Sequence, residues 1–148
     1  MSWLSGQEIQ DTIRRHGDEA TQCAFGGIYS IDTLPFSLTH TPFLMIVNTQ
    51  AHNLPGEHWI SVYIDATKRG EVFDSLALPL SKPLSRWMNR FTRSYTRNRL
   101  AYQHPLSDAC GAFALYFVLQ RLHYPVTLSS SYHRNEAMVR AFYAALNE

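Results

Sequence analysis

Cysteine is scarce in this chain: 148 residues hold only Cys23 and Cys110, too few for a disulfide framework. A reducing compartment is therefore the simpler expectation. No apolar run is long enough to cross a bilayer, because every hydrophobic stretch is short or interrupted by charge. The opening MSWLSGQEIQ lacks the basic start and apolar run of a secretory signal, so the chain is expected not to be secreted. Glycine and proline, seven each, are ordinary in number, and no repeat, linker or low-complexity tract interrupts the sequence. The histidines at 16, 40, 52, 58, 104, 123 and 133 show no paired ligand spacing, and two distant cysteines make no zinc pattern, so no metal site is expected. Six of the thirteen basic residues fall in the segment 82–99, which holds no acidic residue, although the formal net charge is just +1.

What is present is core material. A hydrophobic content of 45% and an aromatic content of 13% fit one folded domain spanning residues 1–148. Ser5-Gly6-Gln7-Glu8 has capping-box spacing, with Ile9 and Ile13 on one helical face and Gly17 as the stop. Residues 21–42, rich in Gly, Thr, Ser and Pro, read as ordered irregular structure. Strands are expected over 43–48, 59–64 and 72–76, the last two joined as a hairpin through residues 65–70. Helical spacing over 84–99 predicts a helix despite its Thr, Ser and Asn content. A helix over about 108–123, apolar on nearly every face and closed by Pro125, belongs inside the domain. A last helix is expected over 135–146. The order defines an α+β class: a small mixed or antiparallel sheet packed on a central buried helix.

Cys110 falls in the first turn of that central helix if Ser107 is its N-cap, where unpaired N–H groups and the positive end of the dipole favour a thiolate. Gly111 beside it leaves room for a substrate backbone. By position alone, Cys110 fits a small core hydrophobe as well as it fits a nucleophile. His58, behind the turn Leu54-Pro55-Gly56-Glu57, opens a strand, and Asp74 lies on the hairpin partner. A hairpin centred on Ala66 makes the two direct cross-strand neighbours; another turn offsets them. An Asp there fixes the tautomer of a catalytic histidine. Gln103, seven residues before Cys110, carries an amide able to donate to an oxyanion together with the Cys110 N–H. Each of these residues, taken singly, is also an ordinary polar strand end, hairpin or loop residue.

Taken together, His58-Trp59, Val72-Phe73-Asp74 and Gln103 ahead of Cys110-Gly111 resemble adenain, the maturation protease family of adenoviruses. Ile46-Val47-Asn48-Thr49, Gly27-Ile28-Tyr29 and Asp108-Ala109-Cys110-Gly111-Ala112-Phe113 extend the resemblance over about 5–125. The related SUMO-specific proteases share the order but usually set Gln and Cys one residue closer. The resemblance implies a papain-like clan fold with adenain-type topology. It implies Cys110 as nucleophile, His58 as general base and then acid, Asp74 as orienter, Gln103 as oxyanion donor, and Trp59 with Gly111 along the substrate groove. It further implies cleavage of viral capsid or core precursors at Gly-containing sites, by a monomer in the virion and in the infected-cell nucleus or cytoplasm. No cofactor is required by the sequence. Adenain's activating peptide is disulfide-linked to a cysteine upstream of the nucleophile; with none between Cys23 and Cys110, a peptide activator here would bind noncovalently.

Lys82, Arg86, Arg90, Arg93, Arg97 and Arg99 have two readings, a solvated face or a sequence-independent phosphate track. Adenain's stimulation by DNA favours the second, with Arg86, Arg90, Arg93 and Arg97 as a stripe on one helix. Two other functions are compatible with these residues: an isopeptidase acting on the Gly-Gly ends of ubiquitin-like modifiers, and an inactive nucleic-acid-binding module.

Overall fold

The computed structural model describes residues 3–50 and 58–148; the turn expected over 54–57 lies outside them. Helix α1 (Gly6–His16) starts where the capping box places it: Ser5 Oγ accepts from the Glu8 N–H at 3.1 Å, and Glu8 Oε1 accepts from the Ser5 N–H at 3.0 Å. Ile9 and Ile13 are fully buried, and the chain leaves the helix at Gly17.

The segment expected to be irregular contains two elements. Asp18 caps a short helix, α2 (Glu19–Ala24), by accepting from the Thr21 N–H at 2.9 Å. The chain then enters strand β1 (Phe25–Ser30). Glycine hides this strand in the sequence and permits it in the fold. A Cβ on Gly26 would lie 2.2 Å from the Phe43 ring, and Gly27 adopts a φ of +142° that side chains avoid.

Strands β2 (Phe43–Asn48) and β3 (Trp59–Ile64) coincide with their expected bounds, and β4 (Arg69–Phe73) begins three residues early. The hairpin between β3 and β4 centres on Thr67 rather than on Ala66, the offset alternative, since Val62 faces Val72 and Ile64 faces Gly70. Asp65 sets this turn: its carboxylate accepts from the N–H groups of Thr67 and Arg69, while Lys68 takes a positive φ of 66°. Asp74 thus falls just past the strand, diagonal to His58 rather than directly opposite.

The helix expected over 84–99 is a helix and a strand. Ser81 and Pro83 start α3 (Lys82–Phe91), which ends at Thr92. Ser94-Tyr95-Thr96-Arg97 then forms β5 (Ser94–Arg97), parallel to β4. β-Branched and aromatic residues, with a free sheet edge beside them, override the helical spacing of the arginines. The five strands lie in sequence order, β1 parallel to β2 and the inner pairs antiparallel.

Both faces of this mixed sheet are covered, which explains why β2 is buried at every position. Phe43, Met45, Val47, Ile60, Val62, Ile64 and Val72 pack with Leu84, Trp87 and Met88 of α3. On the opposite face Leu44, Ile46, Trp59 and Phe73 meet α1 and α4 (Cys110–Gln120). Phe113 and Phe117 are fully buried there, each contributing on the order of 2–3 kcal/mol. Ser61 Oγ donates to the Ala114 carbonyl at 2.9 Å, tying α4 to β3. Ser131 caps α5 (Tyr132–Leu146), which packs against α4 and starts three residues before its expected bound. Among the described residues no helix is long and apolar enough to cross a membrane.

Candidate active site

The sheet and α4 bring three of the sequence-selected side chains together. His58 precedes β3 and is held by its carbonyl, which accepts from the Thr49 N–H at 3.0 Å. Its Nε2 donates to Asp74 Oδ1 at 2.5 Å, with both side chains largely shielded. Asp74 is itself fixed by the turn that ends β4. Its Oδ1 accepts from the Leu76 N–H at 2.9 Å and its Oδ2 from the Leu78 N–H at 3.2 Å. Asn98 brackets the Asp74 backbone, accepting from its N–H at 2.9 Å and donating to its carbonyl at 2.6 Å.

The third member is Cys110, 2% exposed at the start of α4. With Nε2 committed to Asp74, Nδ1 is the ring nitrogen left for the sulfur, and it is buried without a fully formed hydrogen bond. The interaction with sulfur is looser than the one with Asp74. It is nonetheless felt at the ring. Burial pushes the His58 pKa down, but hydrogen bonds and charge from Asp74 and Cys110 outweigh burial and raise it to about 9. His58 is accordingly an imidazolium at neutral pH.

Helix α4 starts later than expected, and Cys110 is its first residue rather than its third. Ser107 does not cap it. The Ser107 hydroxyl donates to Glu136 Oε1 at 2.5 Å and accepts from the Ala109 N–H at 3.2 Å. Among the described helices α4 alone has no side chain accepting from its first turn, whereas α1, α2, α3 and α5 are capped by Ser5, Asp18, Ser81 and Ser131. The first N–H groups of a helix have no acceptor within the helix itself, and no side chain caps this end of α4.

Gln103 is fully buried. Its Nε2 donates to the Ser107 carbonyl at 3.0 Å, which holds the amide against the chain entering α4. Gly111 is buried in the first turn of α4. Trp59 is 7% exposed, and its indole N–H donates to the Leu4 carbonyl at 3.3 Å. That bond ties the ring to the chain entering α1, where it lies beside Gly6. Ser75 and Asn98, which hold Gln103 and Asp74, are not among the sequence-selected residues, because a buried Ser and a loop Asn carry no pattern of their own.

The single-helix arginine stripe does not form. Lys82, Arg86 and Arg90 lie on α3, Arg93 follows it, Arg97 is in β5, and Arg99 lies beyond. Arg97 is half-buried, and its Nη1 reaches the Leu78 carbonyl at 3.4 Å. A different cluster replaces the stripe. The Arg93 N–H donates to the Lys68 carbonyl at 2.8 Å, and Lys68, Arg90 and Arg93 line one surface depression. Arg86 and Arg90 border the neighbouring one beside the exposed Phe36. Among the described residues, no group of three or more His, Cys, Asp and Glu side chains could hold a metal ion.

No protein-family model matches this chain, and no curated protein does. Among solved structures it is similar to two crystal structures of the ASFV pS273R protease, one of them of the selenomethionine form. The TM-scores are 0.46 and 0.44, with 23% and 22% identity over 64% of this chain. The matched part is 36% and 38% of those chains, so this chain accounts for well under half of their length. The structures it resembles are thus those of a protease, while the roles of individual residues rest on this chain's own geometry.

Proposed function

We propose that the chain is a cysteine endopeptidase of the adenain type that works by acyl transfer. The observation that carries this is the His58 ring set between the Asp74 carboxylate and the Cys110 sulfur, at an uncapped helix start. The Cys110 thiolate attacks a peptide carbonyl, and the Gln103 amide with the Cys110 N–H holds the oxyanion. The His58 imidazolium protonates the leaving amine; as neutral imidazole it then activates the water that releases the acyl-enzyme.

Substrates of the proposed enzyme are viral capsid or core precursors cut at Gly-containing sites, in the virion and the infected cell, with no metal or cofactor taking part. The test is hydrolysis of a Leu-X-Gly-Gly reporter by the purified chain, with and without DNA. Turnover of the reporter supports the proposal. Preference for ubiquitin or SUMO conjugates over Gly-Gly peptides would instead make the chain an isopeptidase, and no turnover in any arm would leave a binding module.

The pH profile follows from the His58 shift. Because its pKa is raised, the ring stays protonated up to about pH 9 and loses its proton above that. kcat/KM is expected to hold through neutral pH and fall with an apparent pKa near 9, since the acid for the leaving amine disappears there. A fall centred near the ordinary histidine value of about 6.5 would contradict the assignment.

DNA binding is proposed for Arg86, Arg90 and Arg93 with Lys68, as weak, salt-sensitive phosphate contact without sequence preference. Replacing the three arginines by Glu is expected to abolish retention on DNA at low salt. Unchanged retention would remove DNA from the account.

A further inference from the structure

An oxyanion-donating glutamine has a problem that a backbone N–H does not. Its amide has two faces, and a half-turn of the terminal torsion would aim a carbonyl oxygen, instead of N–H, at the developing negative charge. Something must fix the orientation. In this chain two contacts define it. The Ser107 carbonyl can only accept, so the atom 3.0 Å from it is Nε2, and one amide hydrogen is used there. The oxygen Oε1 then faces Ser75 Oγ at 2.5 Å, where the serine hydroxyl must be the donor. Nε2 keeps its second hydrogen for another acceptor.

Ser75 suits this task. It immediately follows the triad's Asp74 and is 1% exposed. Its carbonyl accepts from the N–H groups of both Tyr102 and Gln103, at 2.8 and 3.0 Å. Backbone and side chain of one residue therefore clamp Gln103 at both ends, and the turn that aims Asp74 at His58 also carries the clamp. A flipped amide would set its carbonyl against the Ser107 carbonyl, a repulsive contact in a buried site, and would lose the hydrogen bond that the Ser75 hydroxyl donates to Oε1.

We propose that Ser75 is a positioning residue that locks the Gln103 amide with its N–H toward the oxyanion. This rests on the protease reading, in which Gln103 is the oxyanion donor. Ser75→Ala is expected to lower kcat about tenfold, the worth of one buried hydrogen bond, with KM unchanged. Gln103→Ala is expected to cost roughly a hundredfold or more. In the Gln103→Ala background, Ser75→Ala is expected to add nothing further. The pair Ser75→Thr and Ser75→Val repeats the comparison at constant shape, with the hydroxyl kept and removed: Thr retains kcat and Val loses it. An equal loss from Ser75→Ala in both backgrounds, or a rise in KM at constant kcat, would overturn the proposal.

A second readout does not depend on turnover. The Gln103 side-chain NH2 in a 15N-labelled sample is expected to give two well-separated, slowly exchanging proton resonances. These should collapse toward free-amide positions in the Ala and Val variants and persist in the Thr variant. Unchanged resonances in the variants lacking the hydroxyl would overturn the clamp whatever the activity. A wild-type chain without turnover but with the expected resonances would instead count against the protease reading alone.

Discussion

Cys110→Ala is expected to reduce reporter hydrolysis to background while the protein stays folded. The drop in kcat is on the order of 10⁶-fold, the scale seen when a covalent nucleophile is removed from an intact site. Nothing nearby can substitute for the sulfur: the His58 ring is directed at it, and the other cysteine, Cys23, is exposed on α2. The structural cost is small by comparison. Cys110 is packed among Ala109, Ala112 and Phe113, and loss of one buried sulfur at a helix start costs about 1 kcal/mol, well within the margin of a domain this size. Circular dichroism and thermal unfolding check the fold. Cys23→Ser is the matched control and should retain full activity.

Asp74→Asn is expected to be the next most damaging change, lowering kcat roughly 10²–10⁴-fold with KM little altered. Two effects combine. Removing the carboxylate charge takes away one of the two partners that raise the His58 pKa, so the imidazolium is less populated. The asparagine amide also cannot satisfy the neighbours that Asp74 satisfies. The Oδ1 position faces His58 Nε2 and the Leu76 N–H, and the Oδ2 position faces the Leu78 N–H, so NH2 at either place meets a donor. With NH2 toward His58, Nε2 must become an acceptor and the proton moves to Nδ1, the wrong tautomer for taking a proton from a thiol. The checks are kcat and KM measured separately, and the high-pH limb of kcat/KM, which should move to lower pH than in the wild type. A variant with unchanged kcat and an unmoved limb would show that Asp74 only supports the loop.

Much of the site could be read from the residues, because its members sit where local patterns are strong. His58 immediately precedes β3, and β2 and β3 carry their burial in nearly continuous hydrophobic runs, broken only by Asn48 at the end of β2 and Ser61 within β3. Ser5 and Glu8 form a complete capping box within four residues. Other parts depend on partners distant in sequence. Strand β1 is masked by Gly26, which lets the backbone pass under Phe43, and by Gly27, whose φ of +142° side chains avoid. Arginines at 86, 90, 93 and 97 share helical spacing, yet Thr92 ends the helix and residues 94–97 pair with β4. Ser107 has the chemistry of an N-cap, but Glu136 of α5, 29 residues on, takes its hydroxyl. A one-residue change in hairpin centre moved Asp74 from opposite His58 to a diagonal position. The contact survived because the carboxylate projects back from the turn beyond the strand.

The account depends on the His58 imidazole lying within proton-transfer reach of the Cys110 sulfur, and alkylation kinetics test that most directly. In a Cys23→Ser background, the rate of Cys110 modification by iodoacetamide is measured from pH 5 to 10, with and without His58→Ala. The rate is expected to have reached its plateau by neutral pH in the parent, as for a thiolate paired with an imidazolium. In His58→Ala the rise should shift toward the ordinary thiol range near 8.5. A parent profile that itself rises near 8.5 and is unmoved by His58→Ala would mean the two side chains do not share a proton, and the assignment of a catalytic pair would fail.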